Sequence, residues 1–126
     1  MDGILTPSMA ASLFDLLVTR PQIDKLILKY HHLLTLSPQS DPLRPTLLWR
    51  LAVQRNNRYV RFDDQRNDSD LDKSISDLTE AVLLQFQVSQ NVVHTFFELA
   101  NVLLSRFFVS KQPEDVTSSI KYYRFL

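Results

Sequence analysis

The stretch "QIDKLILKYHHLL" (residues 22–34) decides the reading of this chain once it is set above "DLDKSISDLTEAV" (residues 70–82), 48 positions later. Asp24 meets Asp72, Lys25 meets Lys73 and Ile27 meets Ile75. The same shift of 48 carries "LLWRLAVQRNNRY" (residues 47–59) onto "TFFELANVLLSRF" (residues 95–107), so that Leu51 and Ala52 meet Leu99 and Ala100, and Arg58 and Tyr59 meet Arg106 and Phe107. A third copy of the first element follows after a shift of 45, where "DLDKSI" (residues 70–75) meets "DVTSSI" (residues 115–120). Two alternating elements therefore recur, and the change in length is confined to a connecting loop, which a repeat architecture tolerates easily.

Both elements carry the 3.6-residue period of an amphipathic helix. In the first copy the apolar positions are Ile23, Leu26, Ile27, Tyr30, Leu33 and Leu34; in the second, Leu71, Ile75, Leu78 and Val82; in the third, Val116, Ile120 and Tyr123. The alternating element is longer and wider: Val92, Val93, Phe96, Phe97, Leu99, Ala100, Leu103, Leu104, Phe107 and Phe108 suit a helix covered on more than one side. Starts are marked by Pro21, by Ser69 with Asp72 three residues on, and by Pro113, Glu114 and Asp115. A shorter helix at 8–18, with Met9, Leu13, Phe14 and Leu17 on one side, supplies a first partner. Strand signals are few, and the single glycine, Gly3, leaves no glycine turns for hairpins.

These signals predict an all-α chain of about six helices, near 8–18, 22–36, 45–62, 70–85, 91–109 and 113–126. Antiparallel helix hairpins joined by short loops would stack as a short solenoid, stabilised by burial between neighbours. Val116, Ile120 and Tyr123 are expected to face the preceding helix, leaving Tyr122, Phe125 and Leu126 partly exposed. The final helix lacks a following partner, so the single domain spanning 1–126 reads as a fragment or truncated array, open to self-association through that uncapped helix.

The phrases "LWRLAVQRNNRY" and "LANVLLSRFFVSKQPEDVTSSIKYYRFL" resemble tetratricopeptide repeats, in the long-period form found in large fungal proteins ahead of a caspase-like CHAT domain. The resemblance covers roughly residues 20–126. It implies a TPR-like array whose longer A helices line a groove for partner peptides, and whose chemistry, if the chain belongs to a CHAT protein, resides elsewhere as a regulatory repeat segment would require. Ala52 and Ala100 occupy the small position of helix A; the small position of helix B is held by Leu26, Ser74 and Ser119.

Composition is that of an ordinary folded domain: 126 residues, 44% hydrophobic and 22% charged. With 14 basic and 14 acidic side chains, no net field draws the chain to nucleic acid or anionic lipid. The absence of cysteine excludes disulfides and thiolate metal sites and agrees with a cytoplasmic location. No signal peptide and no membrane span are expected. His31 and His32 are adjacent and diverge by about 100° on a helix, and His94 is isolated, so no metal site is expected. No serine sits on a turn suited to a nucleophile, and the acids near Asp63 and Asp70 lack the glycine of a calcium loop. A non-enzymatic protein without cofactors is the expectation.

Candidate binding residues come from the first long A helix, where Arg50, Gln54, Asn57, Arg58 and Arg61 recur at helical spacing. The shift of 48 adds Glu98, Val102, Ser105, Arg106 and Val109 on the matching side of the next A helix. Together Arg50, Gln54, Asn57, Arg58, Arg61, Glu98 and Ser105 would receive an acidic or carboxylate-ending protein segment, gripped by arginine forks. Arg58 and Arg106 recur, each with an aromatic after it, which favours pairing with an acid on a neighbouring helix. Arg50, Arg55 and Arg61 do not recur and are the better candidates for a specific partner. Single-stranded RNA on Arg50, Arg55, Arg58 and Arg61 with Tyr59 is the alternative, disfavoured by zero net charge.

Overall fold

The structure is a computed structural model and describes residues 19–62, 69–88 and 90–124. Among the described residues the fold is all-helical, with five helices in chain order: α1 Arg20–Leu36, α2 Arg44–Arg61, α3 Ser69–Gln87, α4 Val93–Ser110 and α5 Pro113–Arg124. The helix expected at 8–18 lies outside the described residues, as do Phe125 and Leu126. None of the described helices is long and apolar enough to cross a membrane.

Local chemistry sets the ends. Thr19 and Gln22 form a reciprocal capping box before α1: the Gln22 backbone N–H donates to the Thr19 hydroxyl, and the Thr19 N–H donates to Gln22 Oε1 at 2.8 Å. Pro45 stands in the first turn of α2, where its missing N–H costs no helical bond. Glu114 and Asp115 open α5 and Lys121 and Arg124 close it, matching the helix dipole. Helix α4 ends on Lys111 in the left-handed region at φ 59°, its N–H donating to the Phe107 carbonyl. A position that usually falls to glycine is filled here by a side chain that settles over the Phe107 and Phe108 rings.

Each helix packs on the next, and the cross-helix pairs show that neighbours run antiparallel. Arg58, late in α2, meets Asp70, early in α3, whereas Arg44, early in α2, meets Glu80, late in α3. Arg106 with Asp115 and Tyr123 with Asn101 show the same for α4 and α5. Helices α2 and α4 also touch, side by side and parallel, through Trp49 with His94 and Asn56 with Glu98. Among the described residues the backbones of α1 and α3 are not adjacent, nor are those of α3 and α5.

The apolar interior is correspondingly divided. One cluster joins Ile23, Ile27, Leu34, Leu48, Leu51 and Ala81. A second joins Ala52, Tyr59, Leu71, Leu78, Leu99 and Leu103, with Trp49, Ile75 and Tyr122 against it. Helices α2 and α3 serve both, so no helix pair here buries its apolar surface alone.

The buried side of α5 differs from the expected stripe. Asp115 and Ser119 are buried, Tyr122 stacks on Phe96 at 5.2 Å, and Ile120 is 46% exposed. The helix is turned this way because Asp115 and Ser119 bond to α4, and the side on which they lie carries Tyr122 inward one turn later.

Candidate functional site

The polar residues of α2 and α4 divide into those that bond to neighbouring helices and those on the side of α2 opposite its buried face. Arg58 belongs to the first group. Its Nε and Nη2 donate to the two Asp70 oxygens at 2.8 and 2.6 Å, and its Nη1 donates to Asp24 at 3.0 Å. One guanidinium on α2 thus ties α1 to α3, two helices whose backbones are not adjacent. The bond to Asp70 is the main reason that Arg58 holds its proton above the ordinary range of arginine, with Asp24 adding to it and burial opposing.

Arg106 repeats the arrangement one unit later. Its Nε and Nη2 donate to Asp115 at 3.0 and 2.7 Å, and its Nη1 to Asp72 at 3.2 Å, tying α3 to α5. The fork lowers the Asp115 carboxyl below the usual carboxylate range. Asp24 and Asp72 are 48 apart, Asp70 and Asp115 are 45 apart, and Arg58 and Arg106 are 48 apart, so the sequence register is also the bonding register. A second bond obeys it: the Ser74 hydroxyl donates to the Ala52 carbonyl at 3.2 Å, and the Ser119 hydroxyl to the Ala100 carbonyl at 2.9 Å. Two serines 45 positions apart, on α3 and α5, therefore bond to two alanine carbonyls 48 positions apart, on α2 and α4.

Arg55 is not a surface group. It is 8% exposed and donates to Asp77 on α3 at 2.5 Å. Burial raises the Asp77 carboxyl, outweighing the Arg55 charge beside it. The expectation that Arg55 is a better candidate for a partner is corrected by its place in the interior. Its sequence position carried the signal: Leu48, Leu51, Arg55 and Tyr59 share one helical face, and the other three are buried apolar residues.

Arg50, Gln54, Asn57 and Arg61 lie together on the side of α2 opposite its buried face, spaced by 4, 3 and 4 positions. Arg50 is exposed, and the other three are half-buried. The Arg61 guanidinium sits 5.7 Å from the centroid of the Phe62 ring, which also receives Arg20.

The matching positions on α4 take different surroundings. Glu98, half-buried, accepts from Asn56 Nδ2 at 3.5 Å in the seam between α2 and α4, and burial raises its carboxyl. Val102 is fully buried. The Ser105 hydroxyl donates back to the Asn101 carbonyl of its own helix at 3.2 Å. Four of the seven predicted residues thus share one face, Arg58 is engaged in the clamp, and Glu98 and Ser105 belong to α4, where the equivalent side is turned to its neighbour.

The RNA reading loses three of its five side chains on the same grounds. Arg55 and Arg58 hold acids, and Tyr59 is buried. His31, His32 and His94 are exposed, and among the described residues no three potential ligands converge on a metal site. Comparison of the chain with protein-family models, with curated proteins and with solved structures finds no match.

Proposed function

We propose that this chain is a TPR-like helical-repeat module, a non-enzymatic scaffold that holds an acidic protein segment along the outward side of α2. The observation that carries the reading is the recurrence of bonds: the arginine clamp and the serine-to-carbonyl bond both repeat in the register of 48 and 45. Residues committed to bonds between helices are structural, whether those bonds repeat or, as for Arg44, Arg55 and Asn56, do not; the strip of Arg50, Gln54, Asn57 and Arg61 lies on the opposite side of α2. Two guanidiniums separated by three turns of helix, with two amides between them, match a segment that presents carboxylates at a similar spacing.

Fluorescence anisotropy of labelled acidic peptides tests this. Saturable binding is expected for the wild-type protein, weakened at least about tenfold when Arg50→Ala and Arg61→Ala are combined, as the loss of two charge-assisted contacts requires. If the double variant binds as well as the wild type, or neither saturates, the strip is not the site.

A second reading, self-association through α4 and α5, is favoured by Phe97, Phe108 and Ile120, which are 50%, 67% and 46% exposed. A weight-average mass in sedimentation equilibrium that rises with concentration is expected, and Phe108→Ser should reduce the rise. A constant monomer mass would remove this reading and leave the peptide strip untouched.

A further inference from the structure

Helix α4 lies against α2 and α3 at once. It meets α2 through His94 with Trp49 and Glu98 with Asn56, and it meets α3 through Phe96 with Phe86 and Arg106 with Asp72. The two pairs on α3 show that α4 runs antiparallel to it. In this position α4 helps to close the side of α3 that carries Leu71, Ile75 and Leu78: Leu71 and Leu78 are 2% and 0% exposed, and Ile75 packs against the cluster that holds Leu99 and Leu103 of α4.

The register repeats this pair of walls one unit later. Trp49 and Asn56 of α2 become Phe97 and Leu104 of α4, and Leu71, Ile75 and Leu78 of α3 become Val116, Ile120 and Tyr123 of α5. Among the described residues α5 has no helical neighbour except α4. The later positions are correspondingly more open: Val116 and Tyr123 are half-buried where Leu71 and Leu78 are buried, Ile120 is exposed where Ile75 is half-buried, and Phe97 is exposed where Trp49 is half-buried. In α4 the protein thus displays the kind of element that covers such a face, which is a helix.

Charge distinguishes the helix that suits the second face from α4. At its rim α3 offers Asp72 to Arg106 of α4. In the register of 45, Asp72 gives way to Thr117, and the uncharged Ser76 and Thr79 give way to Lys121 and Arg124, all exposed. With Ile120 these three later residues line an open hollow of about 340 Å³. The rim has changed from one acid to two bases, so it repels a helix that brings an arginine and attracts one that brings carboxylates. A second copy of this chain is poorly supplied with them: Asp24, Asp70, Asp72, Asp77 and Glu80 are already paired with arginines, and Glu98 faces Asn56.

We propose that the face formed by α4 and α5 binds an amphipathic helix of another protein, whose apolar stripe covers Phe97, Leu104 and Ile120 and whose acidic residues meet Lys121 and Arg124. The bound helix runs antiparallel to α5, as α4 does to α3. It displaces any second copy of this chain, because self-association through α4 and α5 uses the same apolar residues. The outward strip of α2 takes no part.

The probe is a fluorescein-labelled peptide as long as α4, 18 residues, with leucines at intervals of three and four and glutamates beside them. One control keeps the leucines and replaces each glutamate by lysine; the other keeps the glutamates and replaces each leucine by serine. Saturable anisotropy is expected for the leucine–glutamate peptide, at a Kd of about 10 μM. Both controls should bind at least tenfold more weakly. Combining Lys121→Glu with Arg124→Glu should reverse the preference, so that the lysine peptide binds more tightly than the glutamate one, while far-UV circular dichroism stays unchanged.

No saturation, or equal binding of either control by the wild-type protein, overturns the proposal, and both comparisons hold even if the charge-reversed variant does not fold. Combining Arg50→Ala with Arg61→Ala should leave the affinity for the leucine–glutamate peptide unchanged; a loss there assigns the peptide to the strip on α2 and overturns the proposal. Failure of the strip itself is read separately, from acidic peptides that carry no apolar stripe. In sedimentation equilibrium, saturating peptide should hold the mass at one protein with one peptide, and a rise with concentration that persists assigns the face to a second copy instead.

Discussion

The unit α1–α2–α3 and the unit α3–α4–α5 solve one packing problem with partly different chemistry. Both retain the arginine clamp, but the interior pair beside it has changed. Arg55, buried, and Asp77, half-buried, form an ion pair between α2 and α3; the positions 48 and 45 later are Leu103, which is buried, and Tyr122, which packs against the same apolar cluster. A buried ion pair must recover the desolvation of two charges, whereas an apolar pair of similar volume has none to recover. The clamp is present in both units, where it joins two helices whose backbones are not adjacent through an arginine of the helix between them.

The clamps themselves are unequal, and this is where the comparison breaks most visibly. The inner acids are similar, Asp70 at 2% and Asp115 at 7% exposed, but Arg106 is 34% exposed against 21% for Arg58, and the outer partner Asp72 is 69% exposed against 41% for Asp24. Arg58→Ala leaves Asp70 buried and unpaired, and is expected to cost about 3–5 kcal/mol in urea unfolding. Arg106→Ala also strands a buried acid, Asp115, and should cost somewhat less, about 2–4 kcal/mol, because Arg106 and its outer partner Asp72 are more exposed than Arg58 and Asp24. Equal losses would mean that burial does not set the strength of the clamp.

The Arg106 loss should also depend on pH with a definite sign. Asp115 is held below its ordinary pKa, so its contribution is complete above the unfolded value of about 3.9 and disappears as pH falls through the lower folded value. The gap between wild type and Arg106→Ala is therefore expected to be constant near neutrality and to close in acid. A gap that widens below pH 4 would show that Asp115 is not the group involved.

The interior exchange sharpens the same contrast at smaller amplitude. Arg55→Leu or Asp77→Tyr alone strands one buried charge and should destabilise the protein by about 3 kcal/mol. The double variant, which writes the second unit's solution into the first, should recover that loss and reach wild-type stability or exceed it by about 1–4 kcal/mol. A double variant as unstable as the sum of the singles would mean that the ion pair is required by its surroundings.

Much of this architecture was legible in the residues before any coordinates. The period of apolar positions marked all five described helices, and the recurrence of Arg58 as Arg106 pointed to pairing with acids on neighbouring helices. Asp24 and Asp70 recur in the same alignments as Asp72 and Asp115, so the participants were visible although the pairing was not. Reading Arg55 by its charge placed it at the surface; reading it by its phase with Leu48, Leu51 and Tyr59 would have placed it inside. The stripe expected for α5 holds at Tyr123, which packs on Asn101 and Phe97 of α4, and fails at Ile120, which is exposed, because Asp115 and Ser119 bond to α4 and turn their own side inward.

By itself, then, the sequence determined that the chain is helical, that two kinds of helix alternate, and that the spacing of the alternation is 48 and then 45, because these are properties of local period and local repetition. The tertiary structure decided which polar groups are spent on holding helices together and which remain outward. It also buried Leu71 and Leu78 of α3 while leaving Ile120 of α5 exposed. Those outcomes depend on which side of each helix its neighbours cover, and a helix settles that by the sum of its contacts across the interface, where the burial of one charge or one hydroxyl is affordable only when its partner lies within bonding distance.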